Sequence, residues 1–312
     1  MEKLNLIYVA SIGRSGSTLL ECMLGAHSKM ASAGELEIWP HEIMDGGVLP
    51  TGSGKYVQED PFWMEMERRV DPLKQPEPQI HFFREAHNAG RTLRTERIAE
   101  FKNKPLSATV NEQIRQFGQN NYEVFSNFLD LIAEQEGERP NWVVDASKDP
   151  YRLLWLVRSG LFNVKVVQLV KDPRGFIYSV TKPHIHAEDF ALHRRLWWTF
   201  RQAGAWSIRN HLIAEVAEHH LPPEDYLLVQ YEELASDPEG TFGRVCNMIG
   251  AEFEQQAVDN FREGSPYAIA GNPMRQRSGG IKLDEKWKTT LPTTSRLLTT
   301  AITSVNMKRF GD

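Results

Sequence analysis

Cysteine is scarce: Cys22 and Cys246 are the only two in 312 residues. So few exclude a disulfide-stapled scaffold and suit a reducing compartment. No apolar run is long enough for a membrane helix, which needs about 18 consecutive residues. The apolar stretch at 4–11 is far shorter, and Arg14 closes it. It also lacks the apolar core and cleavage site of a secretory leader. Charge of one sign is not in excess: 36 Lys and Arg stand against 41 Asp and Glu, a net −5. A whole-surface nucleic-acid binder is excluded on that balance, so any anion site must be a local basic pocket. No internal repeat or low-complexity tract breaks the chain. The expectation is a cytoplasmic protein with no membrane span and no nucleic-acid partner.

What is present is ordinary globular composition, 41% hydrophobic and 25% charged. Apolar runs at 6–10, 142–144, 164–170 and 226–229 read as strands buried on both faces of a parallel sheet, with 30–33 as a short fifth. Helical patterns lie between them, at 17–24, at 150–157 and from Pro173, where proline favours a first helical turn. A long helix follows. Its stripe Leu192, Leu196, Phe200 and Ala203 has core spacing, and Trp197, Trp198 and Trp206 read as core as well. The alternation predicts an α/β fold: a three-layer, P-loop-like arrangement with a mainly parallel central sheet flanked by helices. Residues 1–312 form one domain on this reading. A helical insertion at about 46–137, including a helix at 111–136, is expected to help shape an acceptor site.

The most informative stretch is 7–20, IYVASIGRSGSTLL. A strand runs into a turn rich in Gly, Ser and Arg, then into a helix. Gly13 and Gly16 permit a tight turn and close approach of the backbone to a bound group. Helix-start amides favour an anion there. Ser15, Ser17 and Thr18 add hydroxyls, and Arg14 adds a permanent cation. The turn is not a Walker A loop, because Ser17 stands where lysine is required. A second glycine-rich stretch, at 52–56, fails that pattern too and reads as a surface turn.

A second basic turn follows a later strand: Lys171, Asp172, Pro173, Arg174 and Gly175, with Ser179 eight residues beyond Lys171. Together GRSGSTLL and KDPRGFIYS resemble the sulfotransferases that use 3′-phosphoadenosine-5′-phosphosulfate (PAPS). Further segments match in order: AGEL at 33–36, DASKDP at 145–150, QYEEL at 230–234 with DPE at 237–239, then GNPMR at 271–275 and Trp287-Lys288. The flavour is that of bacterial members and the tyrosylprotein sulfotransferases, which share the arginine in the first turn. One departure is Lys171, where the family has arginine. Lysine keeps the charge but loses bidentate phosphate recognition.

The resemblance implies PAPS as donor, its 3′,5′-bisphosphate (PAP) as product, and no metal. Gly13, Arg14, Ser15, Gly16, Ser17 and Thr18 would hold the 5′-phosphosulfate. Lys171 and Ser179 would hold the 3′-phosphate, with Arg275 or Arg277 closing over it. Arg14 and Lys148 would stabilise the transferring group, and Glu35 would be the general base, with His41 the first alternative. Glu37 is expected to face elsewhere. The pair at His184 and His186 has no third partner at metal spacing. His219 and His220 read as an exposed helix end, and Trp287 as packing of the C-terminal segment. The acceptor stays open among small molecules, sugars, lipids and peptides, and a homodimer is compatible. The alternatives are a P-loop-like kinase or nucleotide hydrolase, and a nucleotide-binding protein without turnover.

Overall fold

The computed structural model describes residues 2–44, 47, 49–70, 100–102, 104–182, 191–271, 273–276 and 279–310. Five strands cross its centre: β1 (Leu4–Ser11), β2 (Met30–Gly34), β3 (Trp142–Asp145), β4 (Phe162–Val170) and β5 (Tyr226–Gln230). Their spatial order is β2-β3-β1-β4-β5 and every pairing is parallel. β1 and β4 run in unbroken register from Leu4↔Phe162 to Ser11↔Leu169. Alternate side chains explain the continuous apolar runs. Leu4, Leu6, Tyr8 and Ala10 enter one core cluster, while Ile7 and Val9 enter another on the opposite face. A strand covered on both sides has no solvent face to carry polar residues.

Twelve α-helices are described: α1 (Ser17–Gly25), α2 (Trp39–Met44), α3 (Pro61–Val70), α4 (Ala108–Glu136), α5 (Pro150–Ser159), α6 (Pro173–Thr181), α7 (Leu192–His220), α8 (Tyr231–Ser236), α9 (Pro238–Ile249), α10 (Gln255–Asp259), α11 (Trp287–Thr290) and α12 (Thr293–Phe310). Leu19 and Leu20 of α1 join Phe242 and Val245 of α9 against Ile7 and Val9. Phe125 of α4, Leu153 of α5 and Ile213 of α7 cover the other face. Starts and stops follow local chemistry. The Asp149 carboxylate accepts from the amides of Tyr151 and Arg152, with Pro150 at the first position of α5. Asp172 caps α6 in the same way through the Arg174 amide. Gly137, Gly160 and Gly250 end their helices in the left-handed conformation.

Two expectations about α7 need correction. Leu192 and Phe200 are 53% and 52% exposed, and Trp197 is 64% exposed, its ring stacked on Phe200 at 5.9 Å. Ala203 and Trp206 are buried as expected, and Thr199 is buried with them. Spacing sets which residues share a helix face, and the described residues leave the face of Leu192, Trp197 and Phe200 uncovered. His220 also departs from an exposed helix end, since its ring is half-buried against the Phe101 carbonyl at 2.9 Å. Within 46–137, α3 and α4 are core elements: Phe62, Trp63, Phe117 and Phe128 are all buried in the cluster beneath the sheet. The turn at 52–56 is on the surface, as expected, with Ser53 to Tyr56 exposed. Both cysteines are free and buried, and burial pushes the Cys22 thiol up to about 12 and the Cys246 thiol up to about 11. No helix among the described residues is long and apolar enough to cross a membrane.

Candidate active site

All five parallel strands end at one edge, and the residues just beyond them gather around one cavity of about 580 Å³. This edge is where open α/β sheets bind ligands. After β1 come Gly13, Arg14, Gly16, Ser17 and Thr18, all in the cavity wall. Gly16 is left-handed at φ 88° and its residue type leaves the first turn of α1 without a side-chain cap. A Cβ there would lie 2.3 Å from a ring carbon of Tyr231, the residue that follows β5. That close approach is why this turn needs glycine. Ser15 completes the turn but is fully buried, its hydroxyl without a partner, and it does not line the cavity.

Glu35 follows β2. Gly34 places it through a bridge to the 269 strand segment: the Glu35 amide donates to the Ile269 carbonyl at 2.9 Å, and the Ile269 amide donates to Ala33 at 3.0 Å. Lys148 follows β3 and its Nζ lies 2.5 Å from Glu35 Oε1. Lys171 follows β4, with its Nζ 4.3 Å from the centre of the Tyr231 ring, and Ser179 of α6 shares the wall. Arg14, Lys148 and Ala270 are non-glycine residues held left-handed at φ 72°, 69° and 57°. Such backbone costs about 1–3 kcal/mol per residue and concentrates at functional sites. Here two of the three are cavity residues and the third adjoins one, Gly271.

The cavity is strongly basic on a protein of net charge −5. Six cations line it, Arg14, Lys148, Lys171, Arg209, Arg262 and Lys282, against three carboxylates, Glu35, Glu37 and Asp284. Lys171 is 6% exposed, and no carboxylate among the described residues lies within ion-pair distance of it. Burial pushes its ammonium below the ordinary lysine value; Glu232 opposes this and neighbouring Arg14 adds to it. Two cations held close with one of them desolvated are unfavourable unless an anion joins them.

Two site expectations are corrected by this geometry. Arg275 is not in the cavity wall. Its Nη2 donates to Glu21 Oε2 at 2.5 Å, both side chains are buried, and Glu21 in turn accepts from Ser32 Oγ at 2.6 Å. The pair ties α1 to the 273–276 turn. Glu37 does not face elsewhere; it lines the cavity. The tight turn Leu36–Ile38 swings it back toward β3, where its amide donates to Ser147 Oγ at 3.1 Å. Arg277, the His184 and His186 pair, and the His41 side chain lie outside the described residues. Glu215, Glu218 and His219 cluster on α7, but Glu218 is taken by Arg309 and His219 by Glu215. No described residue of 46–137 lines the cavity. Arg209, Arg262 and Lys282 carried no local motif in the sequence, and Tyr231 was visible only as part of QYEEL.

The model of the sulfotransferase family matches residues 7–255, which hold most of β1, the other four strands and the cavity residues from Gly13 to Tyr231, while Arg262, Gly271, Lys282 and Asp284 lie beyond the match. The chain belongs to the sulfotransferase family. A carbohydrate sulfotransferase 1 from Danio rerio is 29% identical over 147 residues, 42% of this sulfotransferase and 34% of the relative. The match thus spans about a third of that relative's length. The fold is shared with the sulfotransferase domain of the curacin biosynthetic pathway, at TM-score 0.57 and 20% identity over 98% of both chains. It is also shared with the sulfotransferase domain of the Synechococcus PCC 7002 olefin synthase, at TM-score 0.54 and 20% identity over 98% of this chain and 96% of that one.

Proposed function

We propose that this sulfotransferase moves a sulfonate from PAPS to an acceptor hydroxyl or amine by in-line displacement. One observation carries the reading. Two separate basic constellations, the Gly13–Thr18 turn with Arg14 and the Lys171–Ser179 pair, share a cavity with the Glu35–Lys148 contact. The first suits the 5′-phosphosulfate and the second the 3′-phosphate. Arg14 and the start of α1 stabilise charge growing on the leaving phosphate. Lys148, aimed from β3, offsets charge on the transferring group. Glu35 takes the proton of the acceptor, and its contact with Lys148 holds it beside that group before the acceptor arrives. Tyr231, lying over both Gly16 and Lys171, offers a ring face to the nucleoside that joins the two phosphates. A reducing, cytoplasmic setting suits the two free thiols.

Isothermal calorimetry with PAP, 5′-AMP and ATP-magnesium tests this reading. PAP should bind with EDTA present and should bind more tightly than 5′-AMP. A strict magnesium requirement, or equal affinity for PAP and 5′-AMP, refutes the assignment.

A further inference from the structure

Near its N-terminal end α7 presents two aromatic rings to solvent. Trp197 and Phe200 are 64% and 52% exposed, and their rings stack at 5.9 Å with 20° between the planes. Arg194 lies three residues before Trp197 and Arg201 four residues after it, so both flank the rings on one helix face. Both arginines are exposed, and among the described residues neither has an ion-pair partner. Thr199 and Ala203 take the inner face, and Thr199 Oγ1 meets Ser295 Oγ of α12 at 3.2 Å, which fixes the outward direction of the rings. The stretch 192–214 carries no Asp or Glu, in a protein that has 41 of them. At 1.5 Å per residue this is about 35 Å of helix free of carboxylates. α12, which lies beside α7, repeats the pattern. Its outward residues Leu297, Ala301 and Val305 recur at four-residue spacing, Lys308 is exposed three residues on, and 293–310 holds no carboxylate either.

We propose that this face of α7 docks the protein on an anionic lipid surface, the Trp197 and Phe200 rings entering the headgroup boundary and Arg194 and Arg201 meeting lipid phosphates. A helix with arginines beside exposed Trp and Phe has the makeup of one that lies in a membrane interface. Trp favours that depth, where one end of its ring is apolar and the other wet. The arginine stems run along the apolar rings while the guanidiniums stay with the phosphates. Shape and charge both separate a lipid surface from a protein partner. The two rings stand out from the helix and line neither the cavity at the strand ends nor two others, of about 670 and 470 Å³. A bilayer moulds itself around protruding rings, whereas a protein must supply a pocket of matching shape. An acidic peptide would meet two or three cations and leave the rest of the helix free to carry carboxylates. An extended anionic sheet repels a carboxylate anywhere along it. The protein as a whole, at net charge −5, is repelled from such a sheet, which orients this basic face toward it. Docking is independent of the transfer chemistry.

Cosedimentation with sucrose-loaded vesicles tests the docking, using equal parts phosphatidylglycerol and phosphatidylcholine against pure phosphatidylcholine. The wild-type protein should bind the mixed vesicles at least about tenfold better than the neutral ones, and most of that gain should vanish in about 0.5 M NaCl. Arg194→Gln with Arg201→Gln should cut binding to the mixed vesicles roughly 25-fold, about fivefold per charge. Trp197→Ser with Phe200→Ser should cut it at least about tenfold, at low and high salt alike. All four side chains are exposed, so thermal melts of both variants should match wild type. Should the serine pair not fold, Trp197→Gln alone has to show the loss. Protein left in the supernatant by both vesicles overturns the proposal. So does equal binding to neutral and anionic vesicles, or anionic binding that ignores both pairs of substitutions. Self-association in light scattering that the serine pair abolishes, without vesicle binding, assigns the face to a second copy instead. Capture by soluble polyglutamate in preference to the vesicles assigns it to an acidic protein, and either result overturns lipid docking.

Discussion

Replacing Lys171 by methionine keeps an unbranched side chain, one atom shorter, and removes the charge and its donors. The ammonium is 6% exposed, sits 4.3 Å from the Tyr231 ring and feels the charge of Arg14. A hydrogen bond from such a cation to phosphate is worth about 1.5–3 kcal/mol. At about 1.4 kcal/mol per tenfold, PAP affinity should fall roughly 10- to 150-fold. Affinity for 5′-AMP, which lacks the 3′-phosphate, should change by less than about twofold. Titration calorimetry with the two nucleotides on both proteins reads this difference directly. Stability should move the other way. The folded-state pKa of Lys171 is depressed by burial, so the unfolded chain binds that proton more tightly. Its destabilising contribution is therefore fully present below the folded pKa and fades as pH rises toward the ordinary lysine value. Lys171→Met should be more stable than wild type near neutral pH, with the gap closing at alkaline pH in denaturant melts. An equal loss of affinity for PAP and 5′-AMP would refute the reasoning, because Lys171 would then be holding something other than the 3′-phosphate.

Glu35→Gln should lower turnover by about 10²–10⁴-fold, the usual range for a lost general base, with PAP affinity nearly unchanged; near-normal turnover passes the role to another residue. Gly34→Ala would set a Cβ 2.3 Å from the Ile269 carbonyl oxygen in a residue held at φ 72°. A left-handed penalty of about 1–2 kcal/mol, with two backbone hydrogen bonds of about 1 kcal/mol each at risk, predicts roughly 2–4 kcal/mol of destabilisation by urea melts. A loss under about 0.5 kcal/mol contradicts the close packing of that bridge. Arg275→Met leaves the buried Glu21 carboxylate unpaired and should destabilise the fold by about 3–5 kcal/mol. The protein that stays folded should bind PAP with wild-type affinity; a selective affinity loss would return Arg275 to the nucleotide site.

Much of this protein is legible along the chain because its signals are local. The runs at 6–10 and 164–170 are strands, since strands covered on both faces are mostly apolar; the two polar residues in the second, Lys165 and Gln168, are each paired. Asp149-Pro150 and Asp172-Pro173 mark helix starts because a carboxylate cap and a fixed φ act within one turn. Arg14, Glu35, Lys148 and Lys171 were nameable because each lies within a few residues of a strand end. The exposed Leu192, Trp197 and Phe200 were misread for the same reason: spacing describes a helix's own geometry, not whether another element lies against it.

Residue order thus determined the parallel sheet, the helix caps and the family's two basic turns. Only the folded chain decided which charges meet. Arg209 and Arg262 reach the cavity from helix and loop positions with no motif, because α7 and the segment after α10 cross the sheet edge. Arg275 pairs with Glu21, 254 residues away, since the buried carboxylate on α1 requires a partner and the 273–276 turn supplies one. Glu37 was turned inward by a Ser147 hydroxyl 110 residues distant. Contacts of that separation depend on three-dimensional packing, to which a one-dimensional pattern has no access.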